Sequence, residues 1–159
     1  MPVHAYDVRP AESADLPAVR EVAEQAFAPY VQRIGRRPAP MDADHAAAAG
    51  AGGLWVTTLD GVVVGYLRVR VAPTHLQVED VAVAPAAQGA GAGRRLLALA
   101  DTLALEAGVP ELRLSTNVQM TENLVLYPRL GWTRTHRTHE DGYDRVFFRK
   151  GVADDSGHR

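Results

Sequence analysis

A mixed α/β (α+β) fold built on a mostly antiparallel sheet is predicted by three observations. Segments rich in β-branched and aromatic residues at 54–59 and 62–71 are separated by Asp60-Gly61, a strong hairpin signal, and a third such segment follows at 76–83. A glycine-rich loop then leads into an apolar stretch of helical periodicity that reaches Ala107. A second cycle of strand, helix and two strands fills residues 111–149. The resulting order calls for one central sheet of about six to seven strands flanked by about four helices. At 159 residues the chain has the size of one domain, expected over residues 1–150, with a polar, frayed tail over 151–159.

Taken in order, residues 4–9 read as a short first strand, and Ser13 or Asp15 is placed to cap a helix that begins near Leu16, where Pro17 is tolerated in the first turn. Leu16, Val19, Val22, Ala23, Ala26 and Phe27 share one face at helical spacing and should enter the core. Beyond Phe27 the periodicity is lost. Residues 29–41 mix aromatic, basic, proline and glycine residues, which reads as an ordered surface loop, either a solvated connection or a substrate-facing lid. Residues 42–49 suit a short helix stopped by Gly50, Gly52 and Gly53. The three strands at 54–83 should then be antiparallel neighbours.

Gly108 ends the long helix, residues 111–116 suit a strand, and a short helix starts at Thr121. Pro128 disfavours α geometry at Tyr127, so that helix is expected to end or kink there. Strands at 132–139 and 145–149, joined through Glu140-Asp141-Gly142, close the fold.

Composition narrows the chemistry. A formal net charge of −2 and a pI near 6.3 provide no global basic field, so neither nucleic acid nor a membrane surface is expected as a partner. The chain has no cysteine, which removes a thiolate nucleophile, a thiolate zinc site and a disulfide scaffold. No apolar run approaches the roughly 20 residues of a membrane span, and Met1-Pro2-Val3-His4 carries no apolar signal core, so a cytoplasmic location is expected. His136 and His139 lie three apart in a strand, hence on opposite faces, and no carboxylate or cysteine cluster accompanies them; no metal site is expected.

The chemistry is carried by Gln88-Gly89-Ala90-Gly91-Ala92-Gly93, which opens the long helix. Glycines at a helix N-terminus expose consecutive backbone N–H groups to an anion, and a phosphate is the natural one. A nucleoside-triphosphate loop would need a Lys-Ser/Thr pair, whereas Arg94-Arg95 follows here. A dinucleotide loop belongs directly after the first strand of a βαβ unit, and this one follows several antiparallel strands.

The longer string fits better: a strand ending Val81-Ala82-Val83, then Ala84-Pro85, Gln88-x-x-Gly91-x-Gly93 and Arg94, and later Leu126-Tyr127-Pro128-Arg129-Leu130-Gly131-Trp132. It resembles the GNAT superfamily of N-acetyltransferases, with its acetyl-CoA signature Arg/Gln-x-x-Gly-x-Gly/Ala and late Leu-Tyr-x-x-x-Gly-Phe segment. Residues 33–41 and 116–123 look like a bacterial GNAT subgroup of unassigned substrate. The departures are Gln88 for the commoner Arg, Trp132 for Phe, and Asn123 where a small residue is usual.

The resemblance implies a GNAT-like sheet, acetyl-CoA as cosubstrate without a metal, and direct transfer to a primary amine of a small molecule or protein. The alternative is a non-catalytic acyl-CoA-binding or sensor module. Similar proteins commonly form homodimers; no stretch of this sequence locates an interface. The resemblance also implies that the pantetheine arm runs along the edge of Val81, Ala82 and Val83. Backbone N–H groups of Gly89, Ala90, Gly91, Ala92, Gly93 and Arg94, after Gln88, would hold the diphosphate.

Tyr127 occupies the position of the proton donor to the departing thiolate, and its other reading is a core tyrosine. Glu79 matches a glutamate that acts on the amine through water in many relatives. By strand alternation it shares a face with Val81 and Val83, while Asp80 on the opposite face makes a structural hydrogen bond. Asn117 and Asn123 either contact the cofactor or cap and pack. Tyr30, Arg33 and Arg36, with Arg37, either shape the acceptor pocket or solubilise the surface.

Overall fold

The computed structural model describes residues 6–152; His4 and the tail beyond Val152 lie outside them. One seven-stranded sheet runs in the order β1-β2-β3-β4-β5-β7-β6. Its strands are β1 (Tyr6–Pro10), β2 (Leu54–Leu59), β3 (Val62–Val71), β4 (Leu76–Val83), β5 (Glu111–Asn117), β6 (Thr133–Glu140) and β7 (Tyr143–Gly151). The helices are α1 (Leu16–Ile34), α2 (His45–Gly50), α3 (Ala92–Ala107) and α4 (Thr121–Arg129). All adjacent strands are antiparallel except β4 and β5, joined in parallel by the α3 crossover. No helix among the described residues is long and apolar enough to cross a membrane.

Two apolar clusters lie on opposite faces of the sheet. On one face, Leu96, Ala100 and Ala104 of α3 are fully buried and recur every four residues, so small alanines let the helix pack closely on Leu67, Leu76 and Leu112. On the other, Val19, Val22, Ala23 and Phe27 of α1 cover Leu54, Val56, Tyr66 and Ala82. Each buried aliphatic side chain contributes roughly 1.5–3 kcal/mol against solvent exposure, so the two helices are fixed to a sheet between them.

Several expectations are corrected. The N-terminal helix does not end near Phe27; α1 continues through Pro29 to Ile34 and stops at Gly35, whose φ of 85° suits glycine. The absent N–H of Pro29 removes one helix bond, and Tyr30 and Ile34, packed against the α1 cluster, extend the buried face past it. Asp15 is not a side-chain cap of α1. Its carboxylate accepts from both Arg9 guanidinium nitrogens and from the Glu12 N–H, pinning the short 3-10 turn Ser13–Asp15 to β1. The short second helix starts at His45, with the Asp44 side chain accepting from the Ala47 N–H.

The last helix does not end or kink at Tyr127 but includes Pro128 and runs to Arg129. The local preference against α geometry before proline is outweighed there by burial of the Tyr127 ring, whose centroid lies 5.8 Å from that of Trp132 and 5.7 Å from that of Phe148.

Candidate active site

The sheet splits at its centre. β4 and β5 are paired only through Leu76–Leu112, Gln77–Arg113 and Val78–Leu114, and past this point Glu79 to Val83 and Ser115 to Asn117 diverge. On its other side β4 stays paired, with Val81, Ala82 and Val83 opposite Leu67, Tyr66 and Gly65. One edge of the C-terminal half of β4 therefore borders a gap rather than a strand.

Two cavities meet at this gap. One, of about 400 Å³, lies beside α3 and is lined by Val81, Ala82, Val83, Gln88, Gly89, Gly91, Ala92, Gly93 and Arg94, with Tyr30, Leu126 and Leu130 opposite. The other, of about 440 Å³, lies over the sheet beyond α1 and is lined by polar residues of five strands, among them Arg68, Arg70, Glu79, Asp80, Ser115, Asn117 and Arg145. Phe27, Val81, Met120, Asn123 and Tyr127 border both. The two cavities are halves of one cleft.

The first half has the chemistry of an anion site. Gly91, at the N-cap of α3, has φ 86°, and Gly89 has φ 87°. These left-handed turns direct the loop so that the first-turn N–H groups of α3 face the cavity with no side chain at those two positions in front of them. Of the loop residues expected to line it, only Ala90 does not border the cavity; its carbonyl accepts from Arg95. Gln88 has a second task, donating from Nε2 to the Val83 carbonyl at 3.1 Å, which ties the loop to the end of β4.

Tyr127 is at the junction. Its ring is buried, and burial pushes the phenol up to about 12. Asn123, one turn earlier on α4, donates to the Thr116 hydroxyl at 2.9 Å and also borders both halves. Asn117 borders only the second half, and its Oδ1 accepts from the Gln119 N–H at 2.9 Å, a turn-stabilising bond.

Strand alternation misplaces Glu79. The β3–β4 register shifts between Arg68 and Val69, which face Asp80 and Val78, so Glu79 is an extra residue in a bulge. Leu76 and Val78 share the α3-side cluster with Val81 and Val83, three positions on, while Ala82 enters the α1-side cluster. Glu79 reaches the second half of the cleft beside Asp80, with its carboxylate 2.9 Å from Arg70 Nε. Asp80 does make the structural bonds expected of it, accepting from the Tyr66 hydroxyl and from Arg68 Nε, each at 2.5 Å. Burial pushes its carboxyl up, opposed by the Arg68 cation and by both hydrogen bonds.

The basic residues after Phe27 do not point into the cleft. Arg33 pairs with Glu122 of α4 at 2.7 Å, which holds the Glu122 carboxyl down at about 2, and Tyr30 donates to the same carboxylate at 3.3 Å. Arg37 pairs with Glu24 and Asp42. Arg36 donates to the Asp141 carbonyl at 2.9 Å and stacks on the Tyr143 ring, while the Tyr143 hydroxyl donates to the Arg37 carbonyl at 2.6 Å. These contacts form a strap from the end of α1 to the β6–β7 turn. Arg33 and Arg36 are thus struts, and Tyr30 borders the α3-side half instead of the acceptor pocket expected for it.

The cations that do line the second half, Arg68, Arg70 and Arg145, were missed by sequence reasoning. Arg68-x-Arg70 in a strand carries a period-two signal for a shared polar face. No local pattern connects them to Arg145, which only the sheet order brings near. His136 stacks on Phe147 with centroids 4.3 Å apart, and His139 bonds Asp144 at 2.9 Å.

The profile of the acetyltransferase (GNAT) family matches residues 16–132, and the chain belongs to that family of acetyltransferases. No curated protein matches it significantly. Among solved structures, the fold is similar to that of the ribosomal-protein-S18-alanine N-acetyltransferase of Escherichia coli, with TM-score 0.74 and 20% identity over 98% of this chain and 100% of that one. It is also similar to yncA of Salmonella typhimurium, a putative acetyltransferase solved with its cofactor acetyl-CoA, with TM-score 0.69 and 22% identity over 96% and 97% of the two chains. A third similar structure is the PaiA N-acetyltransferase of Thermoplasma acidophilum with coenzyme A, at TM-score 0.70 and 15% identity over 92% and 99%.

Proposed function

We propose that this chain transfers an acetyl group from acetyl-CoA directly to a primary amine of a small-molecule or protein acceptor. Acetyl-CoA would bind in the α3-side half of the cleft and the amine in the half beyond α1. The observation that carries this reading is the meeting of a glycine-built anion cradle and a polar cavity at one buried tyrosine, through a gap in the sheet. The residues present fit the cosubstrate: the Gly89 to Arg94 backbone suits a diphosphate, and the free edge of Val81 to Val83 suits an amide-bearing arm.

Acetyl-CoA supplies an activated thioester. The chain's residues supply the rest. Glu79, in the bulge between Val78 and Asp80, receives the amine's proton through water. Backbone donors at the β4 edge face charge developing on the acyl oxygen. A phenol at about 12 lies roughly 3.5 units above an ordinary thiol, so complete proton transfer to a thiolate is uphill by about 5 kcal/mol. Tyr127 therefore acts as a fixed hydrogen-bond donor to the departing sulfur, and solvent completes its protonation.

Tyr127→Phe keeps the ring packed on Trp132 and Phe148 and deletes only that donor. A hydrogen bond to a charged group contributes about 1.5–3 kcal/mol, so kcat is expected to fall about 10- to 100-fold with acetyl-CoA affinity retained. CoA release across a panel of primary amines, paired with calorimetry, tests both statements. Unchanged kcat would remove Tyr127 from the reaction, and CoA release that no amine accelerates would overturn the transfer reading.

A further inference from the structure

Among the described residues, the acceptor half of the cleft holds one cation without an anionic partner. Arg68 is committed to Asp80 and Arg70 to Glu79. Arg145 has no carboxylate within ion-pair distance among the described residues: adjacent Asp144 is taken by Arg137 and His139, and Glu140 accepts from the Thr138 hydroxyl. The Arg145 guanidinium lies 4.9 Å from the Tyr143 ring centroid, on the cleft wall.

Its neighbours on that wall are also donors. Asn117 is the register partner of Arg145 across β5 and β7, and because its Oδ1 is held by the Gln119 N–H, its amide nitrogen retains both donors. Ser115, two residues back on the same face, adds a hydroxyl and lies opposite Phe147. A guanidinium, an amide nitrogen and a hydroxyl thus line one stretch of the cavity wall, a donor set suited to a carboxylate. Across the gap, on β4, lies Glu79, the group assigned to the amine.

The strap from α1 to the β6–β7 turn bounds this half, and its volume of about 440 Å³ is that of a small-ligand pocket. We propose that the acceptor is a small molecule carrying both a primary amine and a carboxylate, and that Arg145, with Asn117 and Ser115, binds the carboxylate. The assignment rests on the acetyl-transfer reading for the fate of the amine, and on the cleft's donor corner for its other end.

The test compares amino acids with their carboxamides, which replace the carboxylate by a neutral group of similar size, in wild type, Arg145→Gln and Arg145→Lys, with kcat/KM referred to the unprotonated amine because amidation lowers the α-amine pKa. Wild type should favour the acids by about 10- to 100-fold in kcat/KM. Arg145→Gln should erase the preference by raising KM for the acids, and Arg145→Lys should restore part of it. Calorimetry with CoA shows that each variant is folded. Equal use of acids and amides by wild type, or a preference that survives Arg145→Gln, would overturn the assignment. If no compound in the panel is acetylated, their binding to the CoA-loaded protein decides the matter. Acid-selective binding lost in Arg145→Gln sustains the carboxylate site while sinking the transfer reading; binding of neither, or of both alike, overturns the site.

Discussion

Gly91→Val is expected to weaken acetyl-CoA binding by more than about 100-fold, the difference made by the loss of two or more charge-assisted hydrogen bonds. Gly91 holds φ 86° as the N-cap of α3. A β-branched residue in the left-handed region costs about 1–3 kcal/mol, so the loop relieves the strain by turning away, and the N–H groups of the first turn no longer converge. The valine side chain would also come into contact with the Arg95 guanidinium, 4.0 Å from where its Cβ would lie. Calorimetric titration should show the loss while the thermal transition remains cooperative, since Gly91 is only half-buried, in the loop before α3. Affinity within a few-fold of wild type would mean that the diphosphate is not held by this turn.

Arg68→Ala is expected to destabilise the fold by about 3 kcal/mol, the lower part of the range for removing one partner of a buried ion pair, because the Arg68 side chain is 22% exposed. The Asp80 side chain is 3% exposed and would be left with the Tyr66 hydroxyl as its donor. For a domain of this size, that loss lowers Tm by about 6–12 °C. The sign of the pH dependence follows from the direction of the Asp80 shift. Burial already pushes this carboxyl up, and without the arginine it rises further. A folded-state value above the unfolded one makes the carboxyl cost stability as pH climbs from the ordinary aspartate range through the folded value. The deficit of Arg68→Ala against wild type should therefore be small in acid and grow toward neutrality. Adding Asp80→Asn, which cannot ionise, should recover part of it. Urea denaturation at several pH values measures all three, and a deficit independent of pH would refute a buried charge as its cause.

How much of this was legible depended on the range of the signal. The bounds of β2, β3 and β4 are those the sequence predicts, because β-branched runs punctuated by Asp60-Gly61 and Pro73 are short-range information. The same holds for the glycine loop and the end of α3 at Gly108. Two helix ends were misread: beyond Phe27 the apolar periodicity fades, yet packing of Tyr30 and Ile34 carries α1 past Pro29, and at Pro128 the local preference for a break is outweighed by burial of Tyr127. At Glu79 the error was one of counting, since a bulge adds a residue and reverses the parity of everything beyond it.

The basic loop misled for another reason. A run holding Arg33, Arg36 and Arg37 looks like a free positive surface until Glu122, Glu24, Asp42 and the Asp141 carbonyl are brought to it by the fold. Conversely, the wall of the other half is assembled from residues on β3, β4, β5, β6 and β7 that no local pattern groups together. The α3-side half has one wall in the continuous stretch from Val81 to Arg94, which reads from the sequence; the other half is a product of topology.

The central claim is that the gap between β4 and β5 receives acetyl-CoA with its diphosphate on the α3 loop. Hydrogen exchange of the wild-type protein with and without acetyl-CoA tests this most directly. Saturable binding is expected, with slowed exchange concentrated at the backbone N–H groups of Gly89 to Arg94 and of Val81 to Val83, and little change in β1 or β6. Absence of saturable binding, or protection that leaves both of these stretches unaltered, would contradict it.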